Sequence, residues 1–417
     1  MTGKVHRLLS LNSYHYRRGG ADVVYLEHDK LFRDRGWESA FFAMHHPQNQ
    51  PSDWDRYFVE ELQFGHEYGA LAKVKMATKV IYSMEARRKL VSLLDVFTPD
   101  VAHAHNLYHH ISPSVLPLLK ERGIPTVLTA HDLKLVCPSH EMLASGGICE
   151  RCKGGRFHHA VLQRCVKGSL AVSGLVALES AIHHYSGIYR RNLERVLVPS
   201  QFYLEKFVEW GWPRQHLRLV PNFVDPTAFV PGYAPGSYFL YFGRITATKG
   251  VTTLLAAAAL AKVPLVVVGT GDLDAEVRRV AAERPDVRFL GRKSGAELFD
   301  VVQGARAVVL PSEWYENAPM SLLEAFALGK PAIGADIGGI PEMIRPDQTG
   351  WLFPSGDRDA LAELLAMVAG MDNAKISTLG RGARALVEDR FTPAQYVRNV
   401  ARVYTEIGVA GCEPLLQ

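Results

Sequence analysis

The chain has few cysteines, no long unbroken apolar run and no strong excess of either charge. Five cysteines in 417 residues exclude a disulfide-dense scaffold. The most apolar stretch, Leu254 to Val268, is interrupted by Lys262 and Pro264 and falls short of the ~20 apolar residues that a membrane span needs. Val5 to Asn12 has no long apolar core ahead of a small-residue cleavage site and reads as a first strand, so the chain is expected to stay in the cytoplasm. With 47 basic and 43 acidic residues the net charge is +4, too small to argue for a nucleic-acid partner. A hydrophobic fraction of 47% with 22% charged residues excludes disordered and collagen-like classes.

What is present is unevenly spread. Residues 1–200 hold 25 basic against 19 acidic residues, residues 201–417 hold 22 against 24, and 16 of the 17 histidines precede residue 200. Short apolar runs alternate with helical patterns through both halves, as in Val5 to Asn12, Val101 to His105, Tyr238 to Phe242 and Ala307 to Leu310. This alternation predicts parallel sheets covered on both faces, and the length suits two or three domains. It breaks at Pro221 to Gly236, rich in proline and glycine, which reads as an interdomain linker, and at Leu135 to Gly168, which holds four cysteines. Two such domains would bind ligands beyond the carboxyl ends of their strands.

Three stretches carry chemistry. In Val309 to Glu342 a buried strand ends at Pro311, and a helix is expected from about Pro319 to Leu328. Its N-terminus suits a phosphate or diphosphate, and Glu316 and Glu324 flank it at E-x7-E spacing. Carboxylates there fit sugar and ribose hydroxyls better than phosphate; the alternative is that Glu316 merely complements the dipole and Glu324 is a surface residue. In FGRITATKG, Phe242 to Gly250, Arg244 and Lys249 follow a strand and precede a helix, where two cations can neutralise a diphosphate or simply be solvated. Lys249 precedes Gly250, so this is not a Walker loop. Gly269 and Gly271 lack the third glycine of a dinucleotide fingerprint and are explained by a tight turn.

Cys137, Cys149, Cys152 and Cys165 form C-x11-C-x2-C-x12-C within 29 positions. Four thiolates can close a structural zinc site or hold an iron-sulfur cluster, with free thiols and disulfides as the other readings; Cys412 is expected to be unrelated. Ala72 to Leu90 is helical in pattern and carries Lys73, Lys75, Lys79, Arg87, Arg88 and Lys89 against Glu85 alone. It fits either an anionic membrane surface or a solvated helix face. The run His103 to His110 matches no standard zinc spacing, and is expected to face acceptor or donor.

GRITATKG, ENAPMSLLEAFALGKP followed by GGIPE, VPNFVD, TAHD at Thr129 to Asp132, and the RRGGAD loop near residue 20 together resemble the family-4 retaining glycosyltransferases of GT-B fold. The resemblance implies an α/β chain with two Rossmann-like domains facing across a cleft and a C-terminal helix crossing back to the first. Residues 1–222 would be the acceptor-side domain with the cysteine insertion at 135–168, residues 223–236 the linker, 237–392 the nucleotide-sugar domain, and 393–417 the returning helix and tail. A UDP- or GDP-sugar donor would lie with its diphosphate on Arg244 and Lys249, its sugar beside Glu316 and its ribose on Glu324. Gly243, the amides of Ala318, Met320 and Ser321, Arg292 beside the base, and Gly19 and Gly20 of the first domain would complete the donor site, with His131 near the sugar. A similar cysteine-bearing insertion is familiar from a subset of these enzymes.

The implied activity is transfer, without a catalytic metal, to a saccharide or lipid-linked acceptor in polysaccharide or glycoconjugate assembly, on the inner face of the membrane. A nucleotide-sugar epimerase of the same architecture and a non-catalytic, metal-stabilised binding module are the alternatives; donor turnover with and without acceptor separates them.

Overall fold

The computed structural model of the chain describes residues 5–61 and 70–416. It divides into two compact units, Met1–Val220 with Tyr396–Gln417, and Pro221–Gln395.

The first unit is built on β1 (Arg7–Leu11), β2 (Glu38–Phe42), β3 (Val101–Ala104) and β4 (Thr126–Thr129). A two-stranded hairpin, β5 (Leu143–Ala144) with β6 (Gly147–Ile148), comes next, followed by β7 (Arg195–Val198) and β8 (Leu217–Leu219). The six long-range strands pair in parallel in the order β2-β1-β3-β4-β7-β8. The helix Pro393–Glu406 ends this unit: its Tyr396, Val400 and Tyr404 are buried, and the Tyr396 and Tyr404 hydroxyls bond His28 and His103.

The second unit contains β9 (Tyr238–Arg244), β10 (Leu265–Thr270), β11 (Val287–Phe289), β12 (Ala305–Leu310), β13 (Ala332–Asp336) and β14 (Gly350–Pro354). All are parallel, in the order β11-β10-β9-β12-β13-β14. Successive residues of one strand enter opposite cores: Phe239 and Tyr241 pack on one face, Leu240 and Phe242 on the other. This two-sided burial is why the strands read as continuous apolar runs and not as an alternating pattern. The order is that of a doubly wound nucleotide-binding sheet, whose direction of winding reverses between β9 and β12.

Two expectations change in detail. The basic stretch Ala72 to Leu90 is two helices, Ala70–Ile81 and Met84–Leu94, because the Ser83 hydroxyl accepts from the Ala86 amide and caps a new helix. The side chains of Lys73 and Lys75 lie outside the described residues. The cysteine segment, which showed no periodicity, holds the β5-β6 hairpin and the short helix His158–Leu162.

Candidate functional site

In the second unit the reversal point gathers residues from two strand ends. Beyond β9 the chain makes a 3-10 turn, Ala247–Lys249, and enters the helix Val251–Ala261 through Gly250. Gly250 has φ +66°, and a Cβ there would meet the Pro311 carbonyl oxygen at 1.8 Å, so only glycine lets the loop after β9 lie against the loop after β12. Across this contact Lys249 Nζ donates to Glu316 Oε1 at 2.5 Å. The same oxygen accepts from Ser312 Oγ at 2.6 Å and Trp314 Nε1 at 2.8 Å. Burial pushes the Glu316 carboxyl up, but the Lys249 charge and these three hydrogen bonds outweigh it and hold it below the usual range for glutamate. The carboxylate is thus an oriented anion.

Trp314 also underlies both cations, with Lys249 Nζ 5.0 Å and Arg244 Cζ 5.9 Å from its ring centre. Arg244 is exposed and Lys249 largely covered, so only Arg244 is open to swing toward a ligand. Behind Glu316, Gly338 has φ +62°, and a Cβ would stand 2.3 Å from the Glu316 carbonyl oxygen, to which Gly339 N donates at 2.8 Å. The GGIPE turn therefore braces the Glu316 backbone.

The helix beside it is Met320–Ala327, with Pro319 in the cap position and no side-chain cap. Its first amides, Met320 and Ser321 among them, have no intrahelical acceptor and carry the positive end of the dipole. The Ala318 carbonyl is held by Asn222 Nδ2 at 3.1 Å. Glu324, one turn into the helix, has no carboxyl partner among the described residues, and burial pushes its pKa up to about 7. Gly243 is the last residue but one of β9, and Arg292 is exposed beyond β11.

In the first unit Gly19 and Gly20 open the helix Gly20–Arg33. His131, beyond β4, bonds through Nε2 to His105 Nδ1 at 2.8 Å. The expectation that the run His103 to His110 faces a ligand fails for its first half: His103 and His105 are fully buried, because His103 sits inside β3 between the Thr129 hydroxyl and the Tyr404 hydroxyl. Its second half differs. Tyr108, His110, Asn106, Asp132, Lys134 and Tyr14 help line a cavity of about 260 Å³, and the buried Tyr108 hydroxyl has no hydrogen-bond partner among the described residues. Lys134 donates to Glu179 Oε2 at 2.8 Å in a buried ion pair. Ser312 and Trp314 escaped the sequence reading, although both lie in the stretch Val309 to Glu342; nothing in a one-dimensional pattern says that a loop serine and tryptophan turn toward a glutamate.

All four insertion cysteines are free thiols. Burial and then the neighbouring Cys137, Cys165 and Cys149 push the Cys152 thiol up to about 12, so the four sulfurs share one neighbourhood. As a donor set they suit zinc, yet among the described residues no group of three or more metal-ligating side chains stands in a geometry that could hold an ion.

A family model described as Glycosyltransferase Family 4 matches residues 18–228, and one described as Glycosyl transferases group 1 matches residues 233–374. The chain belongs to Glycosyltransferase Family 4, and its two Rossmann-like units make a GT-B fold. It is 27% identical over 243 residues to the amylovoran biosynthesis glycosyltransferase AmsK of Erwinia amylovora, covering 54% of this chain and 59% of AmsK. To a GDP-mannose-dependent alpha-mannosyltransferase of Mycobacterium tuberculosis it is 29% identical over 290 residues, covering 64% and 74%. The chain spans about half the length of another relative, the O-antigen chain mannosyltransferase C of Escherichia coli, at 33% identity over 176 residues, 41% of this chain and 47% of that one. Among solved structures, Anabaena HepE in complex with UDP and glucose superposes with a TM-score of 0.66 at 18% identity, over 96% of this chain and all of that one. Sucrose-phosphate synthase from Thermosynechococcus elongatus superposes at 0.68 with 20% identity, over 97% and 100%.

Proposed function

We propose that the chain is a glycosyltransferase that moves a sugar from a UDP- or GDP-sugar to a saccharide or lipid-linked acceptor in polysaccharide or glycoconjugate assembly. The observation that carries this reading is the Lys249–Glu316 pair at the reversal point of the second sheet, beside an uncapped helix N-terminus and the exposed Arg244. Cations, free amides and an oriented carboxylate together match the parts of a nucleoside diphosphate sugar.

Breaking the anomeric bond builds positive charge on the sugar and negative charge on the departing diphosphate. Arg244, Lys249 and the amides of Ala318, Met320 and Ser321 act where that negative charge develops, so no catalytic metal is needed. Glu316 lies beside the sugar; Glu324 accepts hydrogen bonds from the ribose hydroxyls; Gly243 and Arg292 border the nucleotide. Gly19 and Gly20 attend the diphosphate and His131 the sugar. Transfer is read as retaining, as the family resemblance implies, and with no carboxylate nucleophile identified among the described residues it is assigned to same-face attack: the acceptor oxygen attacks on the face the phosphate leaves, and a phosphate oxygen takes its proton.

The acceptor sugar is assigned to the cavity of the first unit, where Tyr108 offers an unused hydroxyl. Docking on an anionic membrane is supported by the helix Leu170–Ser186. Leu170, Leu178, Ile182 and Tyr185 form an exposed stripe on it, and the adjoining insertion exposes Arg151, Arg156, Arg164 and Lys167. The cysteines are read as a structural zinc site that closes when the ion binds. The function is tested by a thermal-shift panel of UDP- and GDP-sugars followed by donor turnover with and without acceptor. Stabilisation by a nucleotide sugar and acceptor-dependent turnover are expected; turnover without acceptor would instead favour an epimerase, and no donor binding at all would end the enzymatic reading.

A further inference from the structure

The first unit has a second, smaller cavity where the cysteine segment meets the helix Leu170–Ser186. Lys134, Phe157, Ser180, His183, Arg190 and Trp212 are among the residues that line it. It measures about 30 Å³, roughly twice the room that one water needs, so it admits a compact group and no sugar. Its polar lining is unevenly provided for. Lys134 is paired with Glu179, and His183 Nε2 donates to the Ile81 carbonyl at 2.7 Å. Three donors are left over. Trp212 is 4% exposed, and its Nε1–H, like the buried Ser180 hydroxyl, has no hydrogen-bond partner among the described residues. Arg190, in the short helix Ile188–Asn192, holds its guanidinium over the Trp212 ring, with Cζ 5.3 Å from the ring centre.

No carboxylate among the described residues pairs with Arg190, and burial pushes its guanidinium below its ordinary value. Burial and then the Arg190 charge push the neighbouring His184 down as well, as an uncompensated cation does. Water can accept from Trp212 and Ser180, but it brings no charge to Arg190. A buried N–H without an acceptor and a partly buried cation without an anion are each costly, and one oxyanion relieves both.

We propose that Arg190, the Trp212 Nε1–H and the Ser180 hydroxyl bind a compact oxyanion of the phosphate class. The guanidinium offers parallel N–H donors, and the oxygens of a tetrahedral ion accept from several sides at once. The ligand is a soluble ion and not a lipid headgroup. At about 100° per residue, Ser180, His183 and His184 lie on the opposite side of their helix from the exposed Leu178, Ile182 and Tyr185. The cavity shares only Lys134 with the larger one assigned to the acceptor, so ion and acceptor occupy different places. The site stands whatever the chain transfers.

The test is indole NMR on the full chain labelled with ¹⁵N-tryptophan, in which the signal lost in Trp212→Phe identifies Trp212 among the six tryptophans. Titration with sodium phosphate should move that signal saturably, and sodium chloride at matched ionic strength should not. Ser180→Ala should raise the phosphate Kd on the order of tenfold or more. Arg190→Met, which keeps an apolar stem over the ring, should do the same. Arg244→Ala, in the donor site, should leave the Kd unchanged. A Trp212 signal that stays still up to high millimolar phosphate, or moves equally with chloride, overturns the site on the wild-type chain, whether or not the variants fold. An unchanged Kd in Arg190→Met overturns it too. So does a response that disappears in Arg244→Ala, since the phosphate then sits on the donor loop.

Discussion

Lys249 Nζ and Glu316 Oε1 meet at 2.5 Å although the residues are 67 positions apart and follow different strands of the second sheet. With side-chain exposures of 18% and 7% the pair is mostly out of water, so removing one partner strands the other. Lys249→Met should cost about 3 kcal/mol in urea unfolding, and more than Glu316→Gln, because it leaves the deeper charge unpaired. The double variant should cost less than the sum of the two. Strict additivity would mean that the contact contributes nothing. Each single change should also lower turnover on the order of 10²–10³, and wild-type rates in both would remove the pair from the mechanism.

Glu324 titrates in the opposite sense to its neighbour. Its folded pKa, about 7, is raised above the unfolded value, so the native state binds more protons between about pH 4.5 and 7 and stability falls as pH rises through that window. Glu324→Gln should therefore be more stable than wild type at pH 8, on the order of 1–3 kcal/mol, and nearly equal to it at pH 4. It should bind nucleotide sugars more weakly at pH 8, where the wild-type carboxylate is ionised and accepts ribose hydroxyls. Equal stability at both pH values would contradict the burial argument.

Gly338→Ala should damage the site without touching a ligand-facing side chain. Its Cβ would press on the backbone of Glu316 at 2.3 Å, in a conformation alanine rarely adopts. Loss of donor turnover with a lowered melting temperature is expected; an unchanged enzyme would show that the brace is dispensable.

Elemental analysis of gently purified protein should return about one zinc per chain, in line with a four-cysteine structural site, and chelation should lower the melting temperature. Zinc-free protein of undiminished stability would assign Cys137, Cys149, Cys152 and Cys165 to ordinary packing.

Vesicle sedimentation tests the proposed membrane docking of the exposed stripe on Leu170–Ser186. Binding to vesicles with anionic lipid, lost in 1 M salt and in the pair Leu178→Asp with Ile182→Asp, is expected; equal binding to neutral vesicles would take the basic insertion out of the account.

The parallel sheets were legible because a strand buried on both faces must be apolar throughout, and helix ends were legible from proline and glycine, as at Pro319 and Gly329. Arg244, Lys249, Glu316 and Glu324 could be found because each lies within a few residues of a strand end or a helix start. What the sequence did not display were partnerships across the fold. Lys249 reaching Glu316 over 67 positions and Tyr404 reaching His103 over 301 depend on packing that no local period encodes. The basic stretch near residue 80 is helical as its pattern reads, but in two pieces for a local reason: Ser83 sits within a helical pattern and caps a new helix.

The C-terminal helix has a consequence for how the chain is made. Tyr396 and Tyr404 are core residues of the first unit, yet the ribosome adds them after all of Pro221–Gln395. Until then His28 and His103 lack the hydroxyls that bond them, and the first unit waits with an open seam. The second unit has no such debt to later residues and is free to fold as it emerges, so the half made second should be the half finished first.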